Sequence, residues 1–277
     1  MINESVKENI KKTLHHSLAS KEVLSASDIL SIKKLGLANW NKTRSYPGGK
    51  IIFSFFENQE IKKYFLDLFK NLYPKGIPGI NYPWEEVTIN GNLYITPSEY
   101  RLHTDSFSKN DLKLGLVVIK NILIPLEVCG NNIDHPYINN FILMKNRVID
   151  YERNFQKNSS KLFHCVHQDT VSEYNEIEWY DDRGNILLVD SDRFYISKED
   201  LENHLSHIKE KSTLDGFIIE SIFKFNVGDI IIHDGCQAHM TGHLNYKPKI
   251  HITNKMGIRL ALMIPLDALN KNNISNN

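Results

Sequence analysis

The sequence predicts an α+β fold in which helices come first and a closed or sandwich-like barrel of short strands follows. Three observations carry this. Apolar residues recur near helical spacing behind polar starts through the first third of the chain. From position 86 onward, alternating or short apolar runs are bounded by turn residues. Only one further helical stretch interrupts those runs.

Taken in order, segments 5–17 and 25–34 open on serine and continue at helical spacing, and 61–72 repeats the pattern. Pro74, Gly76, Pro78 and Gly79 then break it. Positions 86–95 alternate and read as a strand pair with Asn90-Gly91 at its turn. Strands are expected over 114–119 continuing to 126, over 141–149, and over 176–180 turning through Asp182-Arg183-Gly184 into 185–189. Further strands are expected over 217–225, 230–233 and 257–265. The polar helix 197–211 begins Ser197-Lys198-Glu199-Asp200, a capping box with Asp in place of Glu. The asparagine-rich end, 270–277, is too polar to pack and reads as a disordered tail. With no internal repeat and no linker, 1–277 reads as a single domain: a helical cap or support over 1–80, a strand core over 86–266, and an insertion in it at 130–216.

Lysine plus arginine equals aspartate plus glutamate at 33 each, so no charge excess favours nucleic acid or an anionic membrane as partner. No run approaches the roughly 18 apolar residues of a membrane span, and the first twelve or so positions lack an apolar core; a cytoplasmic protein is expected. Cys129, Cys165 and Cys236 are odd in number and lack a CxxC spacing, so neither a disulfide framework nor a zinc cluster is indicated.

The chemistry-bearing pattern is His103-Thr104-Asp105. Two imidazoles and one carboxylate on one face of an Fe(II) ion leave three positions open for co-substrate and dioxygen. In an extended segment residues two apart share a side, so one strand end can supply two of these ligands. The pattern alone is weak: with twelve histidines a chance match is expected about once, and His167-Gln168-Asp169 is a second one. Context favours the first. Asn92-Leu93-Tyr94 precedes His103, and an apolar strand ending Ile122-Leu123-Ile124-Pro125-Leu126 follows it. Later, Gly228-Asp229 opens an apolar strand, Ile230-Ile231-Ile232, and His239 lies eleven residues after the glycine; Gly257-Ile258-Arg259 comes after that.

In this order the motifs resemble the iron(II)/2-oxoglutarate-dependent dioxygenase superfamily, with a phytanoyl-CoA hydroxylase-like branch as one placement within it. The resemblance covers about 86–266 and implies a double-stranded β-helix core of the jelly-roll or cupin kind. It implies His103, Asp105 and His239 as metal ligands and Arg259 as the anchor of 2-oxoglutarate, with Lys249 and Lys255 as alternative anchors, and Tyr94 and Asn92 as co-substrate contacts. Because Asp105 stands where halogenating relatives have a small residue, hydroxylation or a related oxidation is implied. The expected protein is an Fe(II)- and 2-oxoglutarate-dependent dioxygenase that consumes O2, acts on a small-molecule metabolite, and releases succinate and CO2. The alternatives are an oxidative demethylase of nucleic-acid bases, which would need a basic groove, a non-catalytic cupin-like ligand-binding barrel, and a metal enzyme that does not use 2-oxoglutarate.

Blander readings stand beside these. His233 and His243 flank His239; His233 reads as a core residue or one that orients a ligand. His164, His167 and Cys165 read as structural or substrate-facing. Tyr94 beside Asn92 equally suits a half-buried strand position. Trp84, Tyr100 and Trp179 read as packing before pocket lining.

Overall fold

The computed structural model describes residues 4–38, 43–46, 50–54, 58–76, 82–96, 102–105, 115–129, 140–149, 178–206, 208, 211–241 and 254–271. The helices are α1 (Glu4–Lys11), α2 (Ala26–Leu37), α3 (Gln59–Leu72), α4 (Lys198–His204) and α5 (Leu266–Lys271). The strands are β1 (Leu18–Ser20), β2 (Thr43–Tyr46), β3 (Lys50–Ser54), β4 (Thr88–Thr96), β5 (His103–Thr104), β6 (Leu116–Cys129), β7 (Asn140–Val148), β8 (Trp179–Tyr180), β9 (Ile219–Lys224), β10 (Ile230–Asp234), β11 (Gln237–Thr241) and β12 (Asn254–Pro265).

They form two antiparallel sheets, a large one in the order β1-β10-β6-β12-β4-β3-β2 and a small one in the order β5-β11-β7-β8, with β9 also on β7. The pairing has one logic. β7 pairs with β9, β6 with β10, β5 with β11 and β4 with β12, so each strand of the first half meets its counterpart in the second half. A long antiparallel ribbon rolled so that its strands alternate between two sheets is a jelly roll, which is the double-stranded β-helix that the sequence resemblance implies.

The two-residue alternation of each strand sorts residues between faces. On β10, Ile230 and Ile232 join the outer core with helical residues such as Ile61, Phe65 and Phe69 of α3, while Ile231 and His233 face the space between the sheets. α3 is set by its N-cap, where Asn58 Oδ1 accepts from the Ile61 amide at 3.0 Å. Outside the small sheet, Ile142, Met144 and Met240 are covered by Trp179, Leu201, Leu205, Leu214 and Phe217. This is why β7 is buried along its length except at Lys145.

Five expectations need correction. Asn90-Gly91 is not a turn: β4 runs straight through it, paired with β12 at Gly91↔Leu260 and Asn90↔Ala261, because ladder pairing on a long strand outweighs a local turn preference. The first third is not purely helical, since β2 and β3 extend the large sheet beyond β4 and β1 extends it beyond β10. Nor is 130–216 wholly an insertion, since β7 lies within it and is a core strand. The 185–189 strand reduces to a single bridge, Tyr180↔Ile186, beyond a turn in which Asp181 Oδ1 accepts from the Arg183 and Asn185 amides. The helix expected over 197–211 is confined to α4, capped by Ser197, whose Oγ accepts from the Asp200 amide. Of the expected tail, 270 and 271 end α5 and the rest lies outside the described residues. No described helix is long and apolar enough to cross a membrane.

Candidate metal centre

β5 and β11 bring two histidines together. His103 and His239 are register partners, their side chains share a face, and their ring centroids lie 4.4 Å apart. Asp105 lies two residues beyond His103, just past the strand end, and turns to the same side. His103 Nε2 is 3.7 Å from Asp105 Oδ1, and His239 Nε2 is 3.6 Å from Asp105 Oδ2. One ligand atom from each of the three side chains can be chosen so that all three lie within 4.8 Å of one another. Ligand atoms about 2.1 Å from a common ion stand roughly 3.0 Å apart at right angles, so small side-chain rotations close the set around one ion.

The electrostatics suit a cation. Burial alone would raise the Asp105 carboxyl, but the Arg259 guanidinium, then His239, His103 and His233, outweigh it and hold Asp105 well below the usual carboxylate range. Arg259 Nη2 sits 2.7 Å from Asp105 Oδ1, and Asn121 Nδ2 donates to Oδ2 at 2.8 Å. Burial pushes the His239 imidazole down, against the pull of Asp105. Its Nδ1 lies 2.9 Å from the Gln237 carbonyl, which can only accept, so Nδ1 carries the proton and Nε2 presents a lone pair toward Asp105.

The triad borders a cavity of about 80 Å³ between the sheets. Ile52, Leu123, Phe141 and Phe225 give it apolar walls. The polar lining comes from Asn92, Tyr94, Thr241, His233 and Arg259. Arg259 on β12 faces Asn92 on β4 and Leu123 on β6 in register, which sets its guanidinium on the inner face. Gly257, two residues earlier, pairs with Tyr94; a Cβ there would lie 2.6 Å from the tyrosine hydroxyl, so glycine is what lets Tyr94 lie across β12.

All six residues singled out from the sequence, His103, Asp105, His239, Arg259, Tyr94 and Asn92, therefore line one cavity. Lys255 is in β12 with its backbone opposite Thr96, while Lys249, His243, His164, Cys165, the His167-Gln168-Asp169 motif and Tyr100 lie outside the described residues. Trp84 packs in the outer core and Trp179 against Phe217, and neither lines the cavity.

Sequence reasoning missed Asn121 and a buried group of charges behind the site. Asp234 takes Lys120 Nζ on Oδ1 and Arg147 Nε on Oδ2, the latter at 2.5 Å, and Arg147 Nη2 lies 2.8 Å from Glu220 Oε2. The group holds the chain before β1. Lys120 donates to the Thr13 carbonyl, Arg147 to the His15 carbonyl, and the His15 amide to Asp234. Glu220 Oε1 accepts from the Ser17 amide, the Ser17 hydroxyl and Gln237 Nε2. Ligand atoms of His16, Asp182 and Glu220 also cluster, at a more exposed place. The available signal was polar residues inside apolar strands: Lys120-Asn121 in β6 and Arg147 in β7.

No family model matches the chain, and comparison with curated proteins finds no match. Among solved structures it is similar to a Pseudomonas putida prolyl-4-hydroxylase, at 9% identity and TM-score 0.41, over 93% of this chain and 97% of that one. It is also similar to HygX from Streptomyces hygroscopicus with nickel, 2-oxoglutarate and hygromycin B bound, at 13% identity and TM-score 0.44, over 95% and 88% of the two chains. A third is EvdO2 from Micromonospora carbonacea var. aurantiaca, at 10% identity and TM-score 0.43, over 96% and 92%.

Proposed function

We propose that the chain is a non-haem Fe(II)- and 2-oxoglutarate-dependent dioxygenase that hydroxylates a small-molecule metabolite. The observation that carries this reading is the convergence of His103, Asp105 and His239 on the wall of a cavity that also holds Arg259. Three protein ligands on one side leave the cavity side of an ion for other ligands, as an oxygen-activating site requires and a closed structural site does not. When bound, iron, 2-oxoglutarate and O2 supply the oxidation, with release of succinate and CO2.

The chain's own part is to hold and to shelter. His103 and His239 offer imidazole lone pairs, and Asp105 offers an oxygen whose charge burial makes scarce and Arg259 keeps ionised. Arg259 is the one arginine or lysine in the cavity lining among the described residues, and its planar fork suits a two-point grip on the far carboxylate of 2-oxoglutarate. Tyr94 and Asn92, on the adjacent strand, add a hydroxyl and an amide to the same wall. Apolar walls from Phe141, Phe225, Ile52 and Leu123 exclude water from the reaction.

Substrate-independent release of CO2 from carboxyl-labelled 2-oxoglutarate under air tests the reading. Wild type is expected to form succinate with Fe(II) present and none without it. His103→Ala is expected to abolish this, and Arg259→Ala to raise the 2-oxoglutarate concentration needed. Equal succinate from wild type and His103→Ala would contradict it.

A further inference from the structure

A second set of ligand-type side chains lies outside the cavity. His16 precedes β1, Asp182 follows β8 and Glu220 is in β9, so three distant parts of the chain meet there. His16 Nδ1 is 3.2 Å from Asp182 Oδ2 and 3.9 Å from Glu220 Oε1. The corresponding separations in the first centre are 3.7 and 3.6 Å. Donors about 2.1 Å from a shared ion stand roughly 3.0 Å apart at right angles and about 3.4 Å apart in a tetrahedron. The His16–Asp182 spacing falls in that range, and Glu220 needs only a small shift.

Each side chain suits a ligand's part. The imidazole turns Nδ1 to both carboxylates and has Nε2 3.5 Å from the Ser221 hydroxyl oxygen; a ligating histidine commonly gives its other N–H to an oxygen in this way. Asp182 stands in a turn fixed by Asp181 Oδ1, which accepts from the Arg183 and Asn185 amides. Among the described residues its carboxylate pairs with His16 alone. Glu220 Oε2 is buried without a hydrogen bond and lies 2.8 Å from the Arg147 guanidinium, which also serves Asp234. Its Oε1 accepts from the Ser17 amide and Gln237 Nε2. The Ser17 hydroxyl has one proton and two acceptors in reach, Glu220 Oε1 at 2.6 Å and Gln237 Oε1 at 2.8 Å. Given to Gln237, that proton leaves a lone pair on Glu220 Oε1 for an ion. With His16 55% exposed and Glu220 1% exposed, an ion would be gripped from within and open to water outside. An imidazolium paired with Asp182 would explain the shorter contact, but its one Nδ1 proton cannot answer both carboxylates. A doubly charged ion answers both at once.

We propose that His16, Asp182 and Glu220 form a second metal site, structural rather than catalytic, for a divalent ion of the zinc class. One nitrogen and two carboxylate oxygens are within zinc's usual ligand set. The ion would pin the chain before β1 to β9 and to the turn after β8.

Calorimetric titration of metal-free protein with zinc(II) tests this, with the carbon-labelled His16 ring followed by NMR. Wild type is expected to take two ions per chain, and His16→Gln and Asp182→Asn one each. His103→Ala should keep the second site, with the His16 ring signal shifting as it fills and the thermal midpoint rising with zinc. His103→Ala combined with His16→Gln should lose that rise and bind zinc at least about tenfold more weakly. His15 is the exposed neighbour of His16, so His15→Gln is the control for adventitious binding by a surface histidine and should leave the second ion in place. His16 is itself exposed, and its replacement is expected to leave the fold intact by circular dichroism. A stoichiometry unchanged by His16→Gln, a second ion lost equally in His15→Gln, or a His16 ring that does not respond to zinc overturns the proposal. Wild type that takes one ion, lost in His16→Gln and kept in His103→Ala, upholds this site and counts against the first centre; one ion with the opposite dependence does the reverse.

Discussion

Each oxygen of Asp105 has a partner, Arg259 on Oδ1 and Asn121 on Oδ2, and both imidazoles lie just beyond hydrogen-bond range. The side chain is thus held in one orientation before any ion arrives. Asp105→Asn preserves shape while removing the charge and one acceptor, and Fe(II) affinity is expected to drop by more than about a hundredfold. Anaerobic calorimetry checks this, and an unchanged affinity would count against Asp105 as a ligand. Asp234 shows a different use of a carboxylate. Burial would raise its pKa, but Lys120 and Arg147 outweigh burial and hold it below the ordinary value. An unfolded Asp titrates near 3.9, so below that pH the unfolded chain binds a proton that the folded one still refuses. The stability contributed by Asp234 is therefore complete above about pH 4 and is lost as pH falls through the depressed folded value. The thermal midpoint should decline below about pH 4, and less steeply in Asp234→Asn, which is less stable at neutral pH.

β12 joins the two halves of the cavity, pairing with β4 on one side and β6 on the other, and its inner face carries both Gly257 and Arg259. Gly257→Ala would set a methyl group 2.6 Å from the Tyr94 hydroxyl and 3.2 Å from the Ile124 carbonyl. The tyrosine must move or the strands must part. We expect a loss of about 1–3 kcal/mol in stability, read by denaturant titration, with weaker 2-oxoglutarate binding. At β11, Gln237 fixes His239 through its backbone carbonyl, while its side chain is tied to Glu220, to the Met144 carbonyl and to the Ser17 hydroxyl. Gln237→Leu keeps an apolar body of similar size but leaves buried groups unpaired. It should weaken metal binding by about tenfold or more in protein that remains folded by circular dichroism.

Across the whole molecule, the four charges Lys120, Asp234, Arg147 and Glu220 link β6, β10, β7 and β9 to the chain before β1. Their net charge is zero, but removal of one partner leaves buried charge uncompensated, which typically costs about 3–5 kcal/mol. Deletion of residues 1–17 takes away the Thr13 and His15 carbonyls that Lys120 and Arg147 use, and the deleted form should be insoluble or lack cooperative unfolding. Much of the site was legible because its parts obey local rules. His103 and Asp105 are two apart on an extended segment, and a glycine-led strand returns His239. The ribbon pairing of β4 with β12 could be ordered from the sequence only through resemblance, since residues as distant as Asn92 and Arg259 carry no local mark of being partners. Asn90-Gly91 misled for the same reason, since a turn-forming pair is overruled by long-range ladders on both edges of its strand. The buried charges were hidden because a lysine, an asparagine or an arginine in an apolar strand shows that something must answer it, but not what. The most direct measurement of the central claim is an anaerobic titration of metal-free protein with Fe(II) and then 2-oxoglutarate, watching for the weak visible charge-transfer band of the chelate. A saturable band at one iron per chain is expected, absent in His103→Ala and reached only at higher 2-oxoglutarate in Arg259→Ala. Iron that binds without any band would contradict the use of 2-oxoglutarate, and failure to bind iron would contradict the metal centre itself.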